Sequence, residues 1–380
     1  MKEFELIASS TFGLEAIVKR EIEALGYKIT DSRNGRLTYL GDLRAIVRSN
    51  LWLRCADRVY VKMGEFKALT FEELFQATGK ISWEEWLPLN AHFIVTGSSA
   101  WSKLHSVPAC QSIIEKAIAN RLCSVYNVER MPKNGPVYTI RFMFQKDECV
   151  LMIDTVGKSG LHDRGYRVKS VPAPIKENMA AAMVSLSFFK PGRMMVDPFC
   201  GSGTIAIEAA MMARNQAPGL SRKFDCTYWE NIPEEIWKEE KAAAFKAIDL
   251  NADFRIIASD IDPRAVKIAK RNAEEAGVDD CIEFKVMDVK DLKSEGEKGM
   301  LICNPPYGQR IGNDEEIDAI YENLRYFLKI NPTWSLFLIT PDKTFEKKMG
   351  READRRRKLY NGDIESCYYQ YYGAKPEKLC

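Results

Sequence analysis

The 380-residue chain predicts an α/β protein: a doubly wound, largely parallel sheet with an antiparallel C-terminal hairpin, preceded by α+β segments. Three observations predict it. Beyond residue 190, short apolar runs alternate with helical patterns. Before residue 156, strand and helix patterns mix without that alternation. Between them, residues 157–170 are basic and punctuated by Gly157, Gly160 and Gly165, which reads as a linker.

Residues 4–9 read as a strand. Residues 15–25 read as an amphipathic helix, with Leu14, Ile17, Val18, Ile22 and Leu25 at helical spacing and Gly26 closing it. A strand at 36–40 follows a turn at Asn34 and Gly35. Asp42 caps a helix reaching Asn50, and 58–63 is a further strand. Thr70 and Glu73 have capping-box spacing, so a helix starts there. Residues 92–96 are a strand, 110–126 a helix, and 138–144 with 148–154 a hairpin. In the back half, 194–197, 255–259, 282–286, 299–303 and 335–340 are strands. Helices occupy 204–214, 265–276 and 314–328, and 358–359 with 364–372 form the closing hairpin around Asn361 and Gly362.

Lys and Arg number 55 against 53 Asp and Glu, a net charge of +2, with 46% hydrophobic and 28% charged residues. These values exclude a largely disordered chain. The longest apolar runs fall far short of the ~20 residues that span a bilayer. The first five residues carry acids where a targeting peptide needs apolar or basic ones, so a cytoplasmic protein is expected. Ten cysteines with no C-x-x-C pair, and three histidines, predict reduced, mostly buried thiols and no metal site. Split after Lys169, the front holds 24 Lys/Arg and 19 Asp/Glu, net +5; the back holds 31 and 34, net −3. A basic front suggests a polyanion-binding module.

Four motifs carry chemistry. Residues 197–204 (DPFCGSGT) follow a strand and open a helix. Gly201 and Gly203 allow a sharp turn and a close approach to a ligand, and the helix start offers free N–H groups. The run lacks the third glycine of a dinucleotide fingerprint and the Gly-Lys-Ser/Thr of a P-loop, which disfavours a diphosphate cradle. Asp260, at the tip of the next strand, is placed to hold ribose hydroxyls, whereas Asp262 before Pro263 reads as a helix cap. Asp288 follows the third strand and fits either an adenine contact or a loop cap. Residues 304–308 (NPPYG) are the sharpest signal. An exocyclic base amine is a poor nucleophile because its lone pair is delocalised. The Asn304 oxygen and the Pro305 carbonyl can accept its two N–H bonds and stabilise the charge that develops. Tyr307 offers a face for a flipped-out base.

In this order the motifs resemble class I S-adenosylmethionine-dependent methyltransferases of the amino-group type. Residues 161–167 (LHDRGYR) and 173–181 (APIKENMAA) resemble the start of the methyltransferase domain in THUMP-containing RNA methyltransferases, among them bacterial 23S rRNA guanine-N2 enzymes. The match continues through 197–204, 217–219, 260–264, 304–308 and 358–361. The front match is weaker and rests on 53–58 (LRCADR) and the α+β pattern.

The resemblance implies a ferredoxin-like domain at 1–64, a THUMP RNA-binding domain at 65–156, the linker, and a Rossmann-like methyltransferase domain at 171–380. It implies S-adenosylmethionine as cofactor, with Gly201 and Gly203 at its methionine end, Asp260 at ribose and Asp288 at adenine. Asp197, Phe199, Thr204 and Ile261 complete that set. Lys176, Glu177 and Asn178 occupy the family's upstream cofactor segment, although Glu177 equally fits a helix-start acid. Asn304, Pro305, Pro306 and Tyr307 would hold the target base. The partner implied is RNA, rRNA before tRNA, with Lys103, Lys116, Arg121, Arg164, Arg167 and Lys169 as candidate contacts. The run 355–358 (RRRK) fits either a phosphate contact or a neutralised helix end. Cys200 is not a nucleophile candidate, and no cysteine follows Pro306 as a cytosine-C5 enzyme requires. The expected activity is guanine-N2 methylation of 23S rRNA. The alternatives are tRNA guanine N2, adenine N6 in DNA or RNA, and a non-catalytic RNA-binding factor, against which the intact loop argues.

Overall fold

The computed structural model describes residues 2–33, 35–170, 174–306, 314–362 and 364–374. The front half is one seven-stranded sheet. Its strands are β1 (Phe4–Ser10), β2 (Ile29–Arg33), β3 (Arg36–Gly41), β4 (Ala56–Lys67), β5 (His92–Ala100), β6 (Val137–Gln145) and β7 (Glu148–Asp154), in the order β2-β3-β1-β4-β7-β6-β5. Only the β5–β6 pair is parallel. The twelve-residue β4 pairs with β1 through Ala56 to Val61 and with β7 through Tyr60 to Lys67. One strand therefore belongs to both front modules, and the sheet does not break near residue 64.

Helices α1 (Glu15–Ala24), α2 (Leu43–Trp52), α3 (Phe71–Gly79) and α4 (Val107–Tyr126) accompany this sheet. Asp42 caps α2 by accepting from Ala45 N, and Thr70 caps α3 by accepting from Glu73 N, as the sequence predicts.

The back half is a second seven-stranded sheet of β8 (Met194–Asp197), β9 (Arg255–Asp260), β10 (Ile282–Val286), β11 (Gly299–Cys303), β12 (Ser335–Thr340), β13 (Arg355–Asn361) and β14 (Ile364–Tyr371). The order is β10-β9-β8-β11-β12-β14-β13. The first five are parallel and the last two antiparallel, which is the doubly wound sheet and closing hairpin expected. Its helices are α5 (Glu177–Leu186), α6 (Thr204–Ala213), α7 (Glu234–Lys246), α8 (Pro263–Ala276), α9 (Asp314–Ile330) and α10 (Phe345–Met349). The basic run at 355–358 lies in β13, so it is an edge strand and not a helix end.

The stretch 157–170 is not a free linker. Leu161, Arg164 and Tyr166 are buried, and Leu161 N donates to Asp57 O at 2.7 Å. Arg222 donates to Gly160 O at 2.7 Å. The halves also meet where Arg44 and Arg48 of α2 each bind Glu240 of α7 at 2.8 Å. Gly219 N donates to Leu51 O at 2.9 Å, and a Cβ at Gly219 would sit 2.5 Å from Asn50 O, so this approach requires glycine. One hydrophobic cluster runs from Leu6 and Val59 through Ala181 and Ile207.

Candidate active site

The glycine loop leaves β8 at Asp197, which is buried at 1% exposure. Its Oδ1 accepts from Phe199 N at 3.1 Å, and its Oδ2 is buried with no hydrogen-bond partner among the described residues. Burial pushes this carboxyl up to about 8, and the nearby Asp260 charge adds to the effect. The loop then folds back on the sheet: Cys200 N donates to Ser259 O at 2.8 Å, and Gly203 N to Cys200 O at 2.7 Å. Gly201 (φ 51°) and Gly203 (φ 82°) are both left-handed. A Cβ at Gly203 would lie 3.0 Å from Ala269 Cβ, so α6 and α8 pack closely there. Gly203 is the N-cap of α6 and offers no side-chain cap, which leaves first-turn N–H groups for a ligand.

Asp260 organises the opposite wall. Its Oδ2 accepts from Gly201 N and its Oδ1 from Asp262 N, each at 3.0 Å. Asp262 caps α8 by accepting from Arg264 N at 2.8 Å. Asp288 Oδ1 accepts from Lys290 N at 3.1 Å, so it caps its loop as well as facing the cavity.

A cavity of about 760 Å³ opens between these loops and α9. Phe199, Gly201, Asp260, Ile261, Asp288 and Asn304 are among the residues that line it. Ile261 is 68% exposed and presents an apolar surface suited to a purine face. Asn304, just beyond the end of β11, is 9% exposed, and its Oδ1 is buried with no partner among the described residues. An unpaired buried acceptor is costly unless a ligand donor meets it. Pro305 is buried and Pro306 lines the cavity. Tyr307 lies outside the described residues.

The structure places other expected residues elsewhere. Lys176 is the exposed N-cap of α5. Glu177 and Asn178 are buried and do not line this cavity. Asn178 Nδ2 donates to Asp57 Oδ1 at 2.7 Å, tying α5 to the front sheet. Glu177 Oε1 lies 3.4 Å from Arg167 Nη2; burial pushes its carboxyl up to about 7, and that guanidinium opposes the rise. Thr204 Oγ1 accepts from Arg167 Nη2 at 3.0 Å.

Of the candidate RNA contacts, Arg164 and Arg167 are engaged within the molecule. Arg164 is 2% exposed; its Nε donates to Glu208 Oε1 at 3.3 Å, and its other nitrogens to the carbonyls of Leu161 and Arg54. It is an internal structural cation. Arg167 is partly exposed, and its Nη2 donates to Ile175 O and Thr204 Oγ1. Arg121 pairs with Glu84, its Nε donating at 3.1 Å. Lys103, Lys116 and Lys169 are exposed. Sequence reasoning missed Trp101, which is 81% exposed at φ 49° beside Lys103, and Asn272, a fully buried side chain behind the glycine loop. An aromatic in a polar turn was a signal for the first; nothing in the helical pattern of α8 marked the second.

Among the described residues no helix is long and apolar enough to cross a membrane, and no three His, Cys, Asp or Glu side chains group as metal ligands.

Fold and cavity together define an α/β methyltransferase built behind a second, sheet-containing module. The family of RMKL-like methyltransferase domains matches residues 164–370, the RlmL ferredoxin-like domain residues 5–60, and the THUMP domain residues 68–154. The chain belongs to this family of RlmL-like, THUMP-containing methyltransferases. It is 43% identical over 381 residues to "Putative RNA methyltransferase YpsC" of Bacillus subtilis, covering 100% of this chain and 98% of that protein. A Listeria monocytogenes structure described as a predicted N6-adenine-specific DNA methylase shares 44% identity over 98% of this chain and 97% of that one, with a TM-score of 0.94. SMU.472, described as "a putative methyltransferase complexed with SAH", shares 42% identity over 99% of this chain and 100% of its own, with a TM-score of 0.94. TrmN of Thermus thermophilus, at 19% identity over 98% of this chain and 100% of that one and a TM-score of 0.71, shares the fold.

Proposed function

We propose that the chain transfers a methyl group from S-adenosylmethionine to an exocyclic amine of a base in RNA, with guanine N2 of 23S rRNA as the target. The observation that carries this reading is the buried Asn304 Oδ1, without a partner among the described residues, at the wall of the cavity that the glycine loop and Asp260 also line. The residues present fit the cofactor. The cavity is within the ~300–1,000 Å³ typical of small-molecule sites, and Asn304 Oδ1 at its wall has no donor among the described residues.

S-adenosylmethionine supplies an electrophilic methyl group when bound. The chain's own residues do the rest. Asp260 retains carboxylate lone pairs for ribose hydroxyls after accepting from two backbone amides. Ile261 covers a purine face, and Asp288 stands beside it to accept from an amino group. Asn304 Oδ1 and the Pro305 carbonyl accept the two N–H bonds of the target amine. That orients its nitrogen and stabilises positive charge as the new bond forms. Tyr307 is the stacking face for the extruded base. The proton leaves after transfer, so no histidine is required: His92, His105 and His162 do not line the cavity.

RNA is favoured over DNA by the THUMP domain, the basic front half and the exposed Trp101 with Lys103. A cytoplasmic setting accords with that substrate. The second reading is adenine N6, favoured by the description of the Listeria relative and by an Asn-Pro-Pro-Tyr loop that serves both amines. Tritium transfer from labelled S-adenosylmethionine to rRNA, tRNA, ribosomal particles and DNA tests it. Label in RNA, recovered as N2-methylguanosine, is expected; N6-methyladenine would establish the second reading.

A further inference from the structure

The glycine loop is held from outside as well as from within. Ser202 O accepts from Asn272 Nδ2 at 3.0 Å, and Thr204 Oγ1 accepts from Arg167 Nη2 at 3.0 Å. Asn272 lies three residues after Ala269 on α8, so both face the loop side. The same Nδ2 donates to Lys169 O at 3.0 Å, and the amide oxygen accepts from Lys169 N at 3.5 Å. The end of the connector is thus bonded to the loop directly at Thr204, and through one buried side chain at Ser202.

This loop needs outside restraint. Two of its residues are glycines with positive φ, and the N-cap of α6 carries no side chain. Glycine restrains its own backbone least of all residues. The loop's shape therefore depends on partners outside it, among them Asp260 at Gly201 N, Asn272 at Ser202 O and Arg167 at Thr204 Oγ1. Of these three partners, only Asp260 stands in the cavity wall.

We propose that Arg167 and Asn272 are positioning residues for the methyl donor, clamping the glycine loop to the connector and holding it in its cofactor-binding shape. The inference rests on the cofactor reading of the cavity. It moves Arg167 from the RNA surface to the cofactor site, and it makes the connector from the front module part of that site.

The test is S-adenosylhomocysteine binding by the full-length protein, measured calorimetrically for wild type, Arg167→Lys, Asn272→Ser and Asn50→Ser. Asn50 is a matched control: also buried, its Nδ2 donates to Ile46 O and Thr155 Oγ1 at 2.9 Å each, away from the loop. Each clamp variant is expected to raise Kd about five-fold or more through the lost hydrogen bond to the loop, while Asn50→Ser lowers Tm and leaves Kd within about two-fold. Amide exchange in peptides spanning 201–204 should quicken only in the clamp variants. Arg167 is partly exposed, so Arg167→Lys keeps the test open if Asn272→Ser does not fold. A clamp variant that binds like wild type removes that residue from the proposal. Equal weakening by Asn50→Ser overturns the proposal altogether. A wild type that does not bind S-adenosylhomocysteine overturns the cofactor reading instead.

Discussion

Asp260 Oδ2 accepts the backbone N–H of Gly201 at 3.0 Å, so one carboxylate joins the end of β9 to the glycine loop. Its second oxygen holds Asp262 N in the same way. Asp260→Ala removes both anchors along with the acceptor proposed for ribose hydroxyls. Hydrogen bonds to a charged group are worth about 1.5–3 kcal/mol each, so S-adenosylhomocysteine affinity should fall roughly 10- to 100-fold or more. Asp260→Asn, which keeps one acceptor, should lose less. Calorimetric titration of both variants checks this.

Asn304 is expected to act in the chemical step. Asn304→Ala should lower kcat by roughly 10²–10³, the cost typical of deleting one preorganised polar group from a transition-state site. Its Tm and its affinity for S-adenosylhomocysteine should stay close to wild type. Single-turnover methyl transfer beside a thermal melt separates the two effects.

The buried Asp197 carboxyl makes stability depend on pH. Its folded-state pKa of about 8 stands above the ordinary 3.8, so between those values the folded state keeps a proton that the unfolded state has lost. Stability therefore declines as pH rises through this window, by up to about 1.4 kcal/mol per pH unit for one proton. Glu177, raised to about 7, acts in the same direction over a narrower range. Asp197→Asn should gain Tm relative to wild type as pH rises, with the difference largest above about pH 8. Melts across pH 5 to 9 give the comparison.

The cations of the connector and the front module should separate cleanly. Arg164→Ala leaves Glu208 buried without its guanidinium, and should cost about 3–5 kcal/mol of stability. RNA affinity of its folded fraction should be unchanged. At the tip beyond β5, Ser102 Oγ donates to Ala100 O at 2.9 Å and Lys103 N to Asp147 Oδ1 at 2.7 Å, which leaves the Trp101 ring presented to solvent. Trp101→Ala and Lys103→Glu should weaken RNA binding without moving Tm. Lys103→Glu should also reduce the salt slope by about 1. Filter binding over a range of salt reads both.

The site was legible where chemistry and periodicity coincide. Asp260 ends, and Gly201 and Asn304 follow, a short buried strand, and an alternating back half places such strand ends along one edge of a sheet. The rest was hidden for physical reasons. Helix α5 (ENMAAAMVSL) is buried over Glu177 to Val184, so it has no polar face to give a period. Strand β2 is polar and exists through its pairing with β3, and the shared role of β4 needs the distant β7. Gly157 and Gly165 do mark left-handed turns, but nothing local shows that Leu161, Arg164 and Tyr166 between them are buried. The run at 355–358 fitted a phosphate contact or a helix end and not a strand, because its partner β14 lies beyond it in the chain.

The central claim is that Asn304 and its loop methylate a base amine in RNA. Its most direct test is mass spectrometry of rRNA and tRNA nucleosides from cells that have the gene, lack it, or carry only Asn304→Ala. One methylated guanine-N2 position should disappear in the deletion, stay absent with Asn304→Ala, and return with wild type. Identical nucleoside profiles in all three strains, or full restoration by Asn304→Ala, would contradict it.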